Sequence, residues 1–308
     1  MCSAALKEII SGLQQEEKSI SPKYFYDERG SQLFDEITRL PEYYLTNTEL
    51  RIMQDNIGEM VSLIGKQASL IEFGSGSSYK TRILLEHLDE LAAYVPVDVS
   101  EEHLLASASE IRAEFPHIDV LPVVADFTHE FDLPTPKVMP IRNIVYFPGS
   151  TIGNFERDDA IELLRVMHHE AKEGGALLIG VDLQKDPEII EAAYNDSAGV
   201  TAEFNTNILQ HLNNNFDADF DVDAFTHDAQ YKEDEGRVVL RLISDREQTA
   251  SVGKEDFHFD KGESILTEYS HKYTLEDFAN MAETVGFEVA HVWTDADRLF
   301  SVQFLTRK

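Results

Sequence analysis

The chain has 308 residues, of which 43% are hydrophobic, so it can bury a sizeable core in one large domain or two modest ones. Its 57 acidic and 26 basic residues give a formal net charge of −31, which repels nucleic-acid phosphates and anionic membranes and excludes both as expected partners. No apolar run approaches the roughly 20 residues of a membrane-spanning helix. With a single cysteine, Cys2, the chain has no internal disulfide, and we expect a cytoplasmic protein.

A strand, a tight turn and a helix are predicted in the first third of the chain. The apolar residues 68–71 lead into Glu72-Phe73-Gly74-Ser75-Gly76, and a helical pattern covers 81–91. The next apolar run, 94–97, ends at Asp98, whose carboxylate suits the two hydroxyls of a ribose. This order predicts the first crossover of a nucleotide-binding α/β domain.

The glycine pattern bears on which nucleotide is bound. The dinucleotide fingerprint has a third glycine, which lets a helix N-terminus receive a pyrophosphate, and Tyr79 stands at that place here. Two glycines without the third favour a ligand that approaches the backbone closely but brings no phosphate, such as S-adenosylmethionine. An ordinary strand-to-helix turn remains the alternative for this motif alone.

Further apolar runs, at 119–125, 143–147 and 176–181, predict parallel strands buried on both faces. The first of them ends at Asp126-Phe127, an acid and an aromatic ring that suit an adenine amine and its ring. A helix at 275–285 precedes strands at 287–293 and 300–305. Such a closing antiparallel hairpin resembles the last two strands of class I methyltransferases, and nicotinamide-binding domains usually lack it.

A second, α+β domain is predicted from segments outside this sheet. One or two helices are expected within 192–212, and strands at 237–243, 254–260 and 264–273. We therefore predict a nucleotide-binding domain and a substrate domain, with these bounds: 50–184 plus 273–308, and 1–49 plus 185–272.

The strand at 264–273 carries two candidate binding residues, Glu268 and Ser270. Strict alternation puts them on one face together with Leu266. Opposite them it puts Ile265, Thr267, Tyr269, His271 and Tyr273. From spacing alone, a merely solvated face remains the alternative.

Several longer motifs, in order along nearly the whole chain, resemble the histidine Nα-methyltransferases of ergothioneine biosynthesis. They are Pro22–Asp27, Gly30–Asp35, Thr38–Tyr44, Glu72–Gly76, Pro148–Phe155, Ala193–Asp196, Ala198–Ala202 and Leu266–Ser270. The resemblance implies a Rossmann-like class I methyltransferase with an added α+β substrate-binding domain. It implies three methyl transfers from S-adenosylmethionine to the α-amine of L-histidine, giving hercynine.

The resemblance also implies site residues. Gly74, Lys80, Asp98, Asp126 and Phe127 would bind the cofactor, although Lys80 also fits an ordinary helix-surface lysine. Tyr43, Asn154, Tyr194, Glu268 and Ser270 would bind histidine, with Asn154 and Tyr194 at its carboxylate and Glu268 and Ser270 at its imidazole. Gly149 would turn its carbonyl toward the amine. Tyr26 and Phe34 would line the amine pocket, with Tyr26 as the candidate proton acceptor and Tyr26, Phe34 and Tyr43 as cation–π partners.

One departure from the family pattern leaves the substrate open. A methionine expected against the imidazole is replaced here by Leu240, or else by Val239. Another aromatic amino acid or amine, such as a tryptophan derivative, is therefore an alternative substrate, although Glu268 favours histidine. A nicotinamide-dependent oxidoreductase and a non-catalytic binding module are further alternatives.

No metal is expected in this chain. Asp217, Asp219, Asp221 and Asp223 alternate like a calcium loop, but Val222 occupies the position where such a loop needs glycine. The pair His168-His169 lacks the four-residue spacing of a zinc helix. A monomer acting on a small molecule is the expected form.

Overall fold

The computed structural model of the chain describes residues 4–75 and 79–307. Gly76 of the predicted glycine turn, and Cys2, lie outside the described residues. The helices are α1 (Ala4–Leu13), α2 (Glu28–Ile37), α3 (Tyr44–Ile64), α4 (Tyr79–Leu85), α5 (Glu101–Glu114), α6 (Arg157–Ala171), α7 (Pro187–Tyr194), α8 (Val200–Asn215) and α9 (Leu275–Glu283). Short 3₁₀ helices cover Pro22–Phe25, Thr151–Asn154 and Val222–Ala224.

The strands follow the same chain order. They are β1 (Ala68–Phe73), β2 (Ala93–Asp98), β3 (Val123–Val124), β4 (Arg142–Phe147), β5 (Ala176–Asp182), β6 (Phe225–Lys232), β7 (Arg237–Ser244), β8 (Gln248–Val252), β9 (Glu255–Phe259), β10 (Ser264–His271), β11 (Phe287–Thr294) and β12 (Phe300–Arg307). The chain divides into two compact units, residues 48–184 with 272–308 and residues 1–47 with 185–271. None of the described helices has the length and apolar character needed to cross a bilayer.

The unit of residues 48–184 and 272–308 is built on a seven-stranded sheet in the order β11-β12-β5-β4-β1-β2-β3. Strands β1 to β5 are parallel, and β11 and β12 close the sheet as an antiparallel hairpin. The predicted α/β class and its closing hairpin are thus confirmed. Strand β2 lies on one side of β1 and β4 lies on the other, so the strand order reverses between β1 and β4. Ligands of such folds bind at this point of the sheet.

The third strand is much shorter than the sequence predicted. Of the residues 119–125, only Val123–Val124 form a strand with β2, and Val120 makes an isolated bridge with Tyr94. Pro122 lies between these two contacts and has no N–H to donate to a ladder, so continuous pairing is interrupted at the edge of the sheet.

The core of this unit is formed by the faces of β1, β2, β4 and β5. All six residues of β1 and all seven of β5 are buried. Such continuous burial is expected of parallel strands that are covered on both faces. Helices α6 and α9 contribute Leu163, Met167, Phe278 and Met281 to the same cluster. The ends of β1 and β4 are therefore held by a rigid, closely packed layer.

The unit of residues 1–47 and 185–271 contains a three-stranded antiparallel sheet, β10-β7-β6, and a hairpin of β8 and β9. Helix α8 contributes Phe204, Ile208, Leu209 and Leu212 to its core, which also includes Leu242 and Ile265. The edge of β10 that does not pair with β7 is covered by residues 18–20. There the Ile20 N–H donates to Leu266 O, and the Leu266 N–H donates to Lys18 O.

The predicted division of faces on β10 is wrong at Leu266 and at Ile265, which pairs with Leu242 and so shares the side of Leu240. Leu266 pairs with Arg241 of β7, but Glu268 pairs with Leu240, the very next residue, so Thr267 forms a β-bulge. Because opposed residues in an antiparallel pair share a face, Glu268 and Ser270 lie on the inner side with Leu240 and Val238. Leu266 lies on the outer side with Arg241.

Candidate active site

Gly74 follows β1 in a left-handed conformation, with φ of 70°. Its N–H donates to the carbonyl of Val97 at the end of β2, at 2.9 Å. A Cβ atom at this position would lie 3.4 Å from the ring of Phe127. The glycine therefore keeps the backbone open beneath an aromatic ring, which suits a ligand that approaches the main chain closely.

Two carboxylates and one aromatic ring lie at the ends of the strands next to this turn. Asp98 ends β2, and its side chain accepts the N–H of Ser100 at 2.9 Å. Asp126 is exposed and accepts the N–H and the hydroxyl of Thr128 through the same oxygen, at 3.0 and 2.6 Å. The Phe127 ring packs 5.7 Å from that of Phe73. Asp98 can hydrogen-bond a ribose, Asp126 can hydrogen-bond an adenine, and the Phe127 ring can cover the adenine ring.

Glu72, the residue two positions before Gly74, is buried in the end of β1. Thr81 donates to one of its carboxylate oxygens at 2.6 Å, and the hydroxyl of Tyr94 donates to the other. Burial raises the pKa of Glu72 to about 7, against the lowering effect of these two hydrogen bonds and of the Lys80 charge. A buried carboxyl that titrates near neutral pH thus lies directly behind the glycine turn.

Glu49 of α3 is a residue that the sequence reasoning missed. Its side chain is 1% exposed, forms an ion pair with Lys80, and accepts the N–H of Gly149 with both oxygens at 3.0 Å. It fits only because Gly180 of β5 has no side chain, since a Cβ atom there would lie 2.2 Å from Glu49 Oε1. Glu49 therefore holds together two predicted site residues, Lys80 and Gly149.

The loop after β4 has two consecutive left-handed residues, Gly149 with φ of 83° and Ser150 with φ of 57°. The Ser150 hydroxyl accepts the N–H of Asp182 at 2.8 Å, and Thr151 donates to Pro148 O at 3.1 Å. These bonds fix the loop that carries the Gly149 carbonyl. Asn154 closes the following 3₁₀ turn and is half-buried.

A fully buried ion pair lies next to this loop. Lys272 and Asp182 are both 0% exposed, with their charged atoms 2.7 Å apart. Asp182 is the last residue of β5, and its N–H is the one that Ser150 accepts. Because each charge is paired where water is excluded, removal of either partner would leave an uncompensated charge beneath the loop.

In the unit of residues 1–47 and 185–271, four predicted residues form a row of aromatic rings. Ring centroids are 5.8 Å apart for Tyr26 and Phe34, 6.3 Å for Phe34 and Tyr43, and 6.4 Å for Tyr43 and Tyr194, all edge to face. Phe204 of α8, which was not predicted, lies 5.9 Å from Tyr26 and 6.0 Å from Phe34. The rings form one continuous aromatic surface.

Polar groups of the same unit lie beside these rings. The hydroxyls of Tyr194 and Ser270 are 2.7 Å apart, and Glu268 lies opposite Leu240 on the inner side of the sheet. Of the two positions considered for the apolar contact, Leu240 shares the face of Glu268, whereas Val239 pairs with Tyr269. A carboxylate, two hydroxyls and an apolar side chain can together hold a polar heteroaromatic ring.

Tyr26 is 49% exposed, so its ring is accessible to a ligand. Burial of its hydroxyl, then the nearby charge of Glu268, raises its pKa above the ordinary value of 10.0. The phenol consequently stays protonated at neutral pH. It can accept a hydrogen bond through its oxygen, but it does not supply a phenolate.

Two carboxylates of the acidic loop around residues 217–223 are bonded within the protein. Asp219 accepts the N–H of Ser251 at 2.6 Å, and Asp221 pairs with Arg246. Across residues 4–75 and 79–307, no group of three or more His, Cys, Asp or Glu side chains is placed to hold a metal ion.

Comparison with protein families decides the class. A family model described as "Histidine-specific methyltransferase, SAM-dependent" matches residues 5–307. This chain belongs to that family. It is an S-adenosylmethionine-dependent methyltransferase, and the predicted family, enzyme class and methyl donor are confirmed.

Individual relatives agree with the family. The chain is 38% identical over 310 residues to a histidine N-alpha-methyltransferase of Mycolicibacterium smegmatis, with 99% of this chain and 95% of that protein covered. It is 39% identical to the protein of the same name from Mycobacterium tuberculosis, with 95% and 91% covered. Among solved structures, an S-adenosylmethionine-dependent methyltransferase from Clostridium acetobutylicum has a TM-score of 0.52 at 11% identity, covering 91% of this chain and 98% of that one, and so shares the fold.

Proposed function

We propose that this enzyme transfers methyl groups from S-adenosylmethionine to the α-amine of L-histidine, three times in succession, and releases hercynine. The observation that carries the proposal is the inward position of Glu268 and Ser270 beside Tyr194, in a chain of the histidine-specific family. A carboxylate and a hydroxyl match the two nitrogens of an imidazole, one of which carries a proton while the other has a lone pair.

We propose that the donor is bound by the residues at the ends of β1, β2 and β3. Gly74 would admit the ligand to the backbone, and Asp98 would accept hydrogen bonds from the ribose. Asp126 and Phe127 would hold the adenine, and Lys80 would pair with the carboxylate of the donor. The open backbone at Gly74 supports this assignment, because a Cβ atom there would fill the space below Phe127.

We propose that histidine is bound through all three of its functional groups. Asn154 and Tyr194 would donate to its carboxylate, Glu268 and Ser270 would hold its ring against Leu240, and the Gly149 carbonyl would accept from its amine. Glu49 holds the Gly149 N–H and with it the Pro148–Gly149 peptide, which anchors one side of the Gly149 Cα atom that carries the carbonyl.

The chemistry needs a neutral amine at every round. S-adenosylmethionine supplies an electrophilic methyl carbon bound to a sulfonium sulfur. The amine lone pair forms the new N–C bond while the C–S bond breaks, and the product is S-adenosylhomocysteine. Each round releases one proton, so three protons leave in all. Since Tyr26 stays a phenol, we propose that its oxygen accepts an N–H hydrogen bond that aims the lone pair, while water carries the proton away.

The aromatic rings suit the change in charge. The amine becomes a quaternary ammonium that has no N–H left to donate, so hydrogen bonds can no longer hold it. Tyr26, Phe34 and Tyr43 pack edge to face, with Phe204 beside Tyr26, and we propose that they border the amine. Cation–π contact, worth about 0.5–2 kcal/mol, would replace the lost hydrogen bonds.

The test is a mass-spectrometric assay with purified protein and S-adenosylmethionine. L-histidine, dimethylhistidine, L-tryptophan and histamine are offered separately. Trimethylated histidine, with no product from histamine, supports the proposal and the need for a carboxylate on the substrate. Product from tryptophan or histamine alone would leave the enzyme class intact and reject histidine as the substrate.

A monomeric enzyme without a metal, located in the cytoplasm, remains our expectation. Light scattering during size-exclusion chromatography tests the first point, and unchanged activity after treatment with a chelator tests the second. Fractionation of cells, followed by detection of the protein, tests the third.

A further inference from the structure

Asn205, in the middle of α8, has a fully buried amide with every hydrogen-bonding group used. Its oxygen accepts the hydroxyl of Thr267 at 2.7 Å. Its nitrogen donates to the carbonyl of Arg241 at 3.0 Å and lies 2.8 Å from Nδ1 of His227. The Arg241 carbonyl can only accept, so the amide has a single possible orientation.

That orientation fixes the state of His227. Its Nδ1 must accept from Asn205, and its Nε2 lies 2.9 Å from the carbonyl of Tyr194, which can only accept as well. His227 is therefore neutral with its proton on Nε2. Burial lowers its pKa from the ordinary value of 6.5, in agreement with this state, although the nearby Asp228 and Asp196 act in the other direction.

The hydrogen bonds run in one direction across the unit. The Thr267 hydroxyl donates to Asn205, Asn205 donates to His227, and His227 donates to the backbone of Tyr194. One end of this chain is the bulge residue that turns Glu268 inward. The other end is the residue whose hydroxyl meets Ser270.

We infer that Thr267, Asn205 and His227 are positioning residues, which set the distance and direction between Tyr194 and the Glu268–Ser270 pair and so tune affinity for the amino-acid substrate. The inference rests on the proposed function for the identity of that substrate. None of the three residues is assigned a contact with the substrate. They act through Tyr194, Glu268 and Ser270, which are the residues proposed to contact it.

The test compares variants that lose or keep one hydrogen-bonding side chain; the Thr267 hydroxyl also lies 3.2 Å from the carbonyl of Leu240. Thr267→Val keeps the shape and loses the hydroxyl, whereas Thr267→Ser keeps the hydroxyl. His227→Ala loses the donor to Tyr194, whereas His227→Gln offers an amide N–H near the same place. Asn213→Ala is the control, because Asn213 lies on the same helix and bonds both the N–H and the carbonyl of Phe220 at 2.8 Å.

We expect Thr267→Val and His227→Ala to raise the Michaelis constant for histidine about five- to tenfold, with the dissociation constant of S-adenosylmethionine changed less than twofold. Thr267→Ser and His227→Gln should restore most of the affinity. Asn213→Ala should lower the melting temperature without changing the Michaelis constant. The inference is overturned if the hydroxyl-free and hydroxyl-bearing variants behave alike, or if Asn213→Ala weakens histidine binding equally.

The same experiment separates this inference from the proposed function. If the wild-type enzyme methylates another amine and not histidine, the proposed substrate is wrong. The comparison of variants is then made with that amine, and a selective rise in its Michaelis constant would still support the positioning role. If the variants lose affinity for both substrates in proportion to their loss of stability, the positioning role is rejected while the proposed function stands.

Discussion

Glu268 and Leu240 face each other across an antiparallel strand pair because Thr267 forms a bulge just before Glu268. If every residue were paired without a bulge, Thr267 would lie opposite Leu240 and Glu268 opposite Val239, on the side of the sheet that carries Arg241. The bulge thus brings together the Glu268 carboxylate and the Leu240 side chain, which are proposed to contact the same heteroaromatic ring.

The first prediction concerns Glu268. Glu268→Ala removes a charged acceptor proposed for a ring N–H, an interaction worth about 1.5–3 kcal/mol, so the Michaelis constant for histidine should rise roughly 10- to 100-fold. The dissociation constant of S-adenosylmethionine, measured by calorimetry, should stay within twofold. Glu268→Gln keeps one acceptor oxygen, so its Michaelis constant for histidine should lie between those of the wild type and Glu268→Ala. An equal loss of affinity for both ligands would contradict the assignment.

The second prediction concerns the contact of Gly180 with Glu49. Gly180→Ala places a Cβ atom 2.2 Å from Glu49 Oε1 and 3.1 Å from the Gly149 nitrogen, and should lower the free energy of unfolding by about 1–3 kcal/mol. In a Glu49→Ala background the same change should cost less by about 1 kcal/mol or more, because the nearer atom is gone. Urea denaturation of the four proteins gives the interaction energy.

Gly58 of α3 provides the matched control for that cycle. A Cβ atom at Gly58 has no neighbour within 4 Å among the described residues. Gly58→Ala should therefore stabilise the helix by about 0.5–1 kcal/mol in both backgrounds. If Gly180→Ala cost the same with and without Glu49, the close contact would not be the cause of its effect.

The third prediction concerns the left-handed turn at Gly74. Gly74→Ala puts a side chain at φ of 70° and 3.4 Å from the ring of Phe127. The strain should lower the free energy of unfolding by about 1–2 kcal/mol, and affinity for S-adenosylmethionine should fall at least tenfold. Gly262→Ala, at φ of 88° with open space around it, should show the strain alone. Unchanged affinity for the donor in Gly74→Ala would argue against close backbone approach there.

The fourth prediction concerns pH. The pKa of Glu72 is about 7 in the folded protein and 4.5 in its ordinary state. As pH rises through this window the unfolded chain loses the proton that the folded protein keeps. This contribution to stability, present in full below pH 4.5, is lost by pH 7 and amounts to about 3 kcal/mol. Glu72→Gln should remove this loss when unfolding is measured from pH 5 to 8.

Tyr94→Phe makes the same pH experiment sharper. The Tyr94 hydroxyl donates to the Glu72 carboxylate and lowers its pKa. Removal of that hydroxyl should therefore extend the loss of stability to higher pH than in the wild type. A profile that does not move would show that another group titrates in this range.

Much of the fold was open to prediction because long apolar runs and glycine turns carry their own signal. The strands that became β1, β2, β4 and β5, and the closing hairpin of β11 and β12, were predicted within two residues of their bounds. Strand β6 was missed because its residues alternate weakly, with half-buried polar side chains between Phe225 and Ala229. Propensity alone does not mark such a strand, which depends on its neighbour β7.

The parts of the site that were missed share one physical reason. Glu49 reads as an ordinary polar residue of a long helix, and Asn205 as one of several asparagines on α8. Their roles come from tertiary contacts with Gly149, Lys80, Thr267 and His227, which no local pattern encodes. The bulge is a single extra residue, and a prediction from strict alternation cannot detect it because alternation assumes one-to-one pairing of the two strands.

The bulge also limits how this protein can be altered. Substitutions along 264–271 change one side chain at a time, but the gain or loss of one residue before the bulge would exchange the inner and outer sets of the whole downstream segment. A library that seeks new amine substrates should therefore vary residue identity at Glu268, Ser270 and Leu240 and hold the length of this strand constant. The same reasoning predicts that natural variation in length will be found in the turns on either side of β10 and will be rare within it.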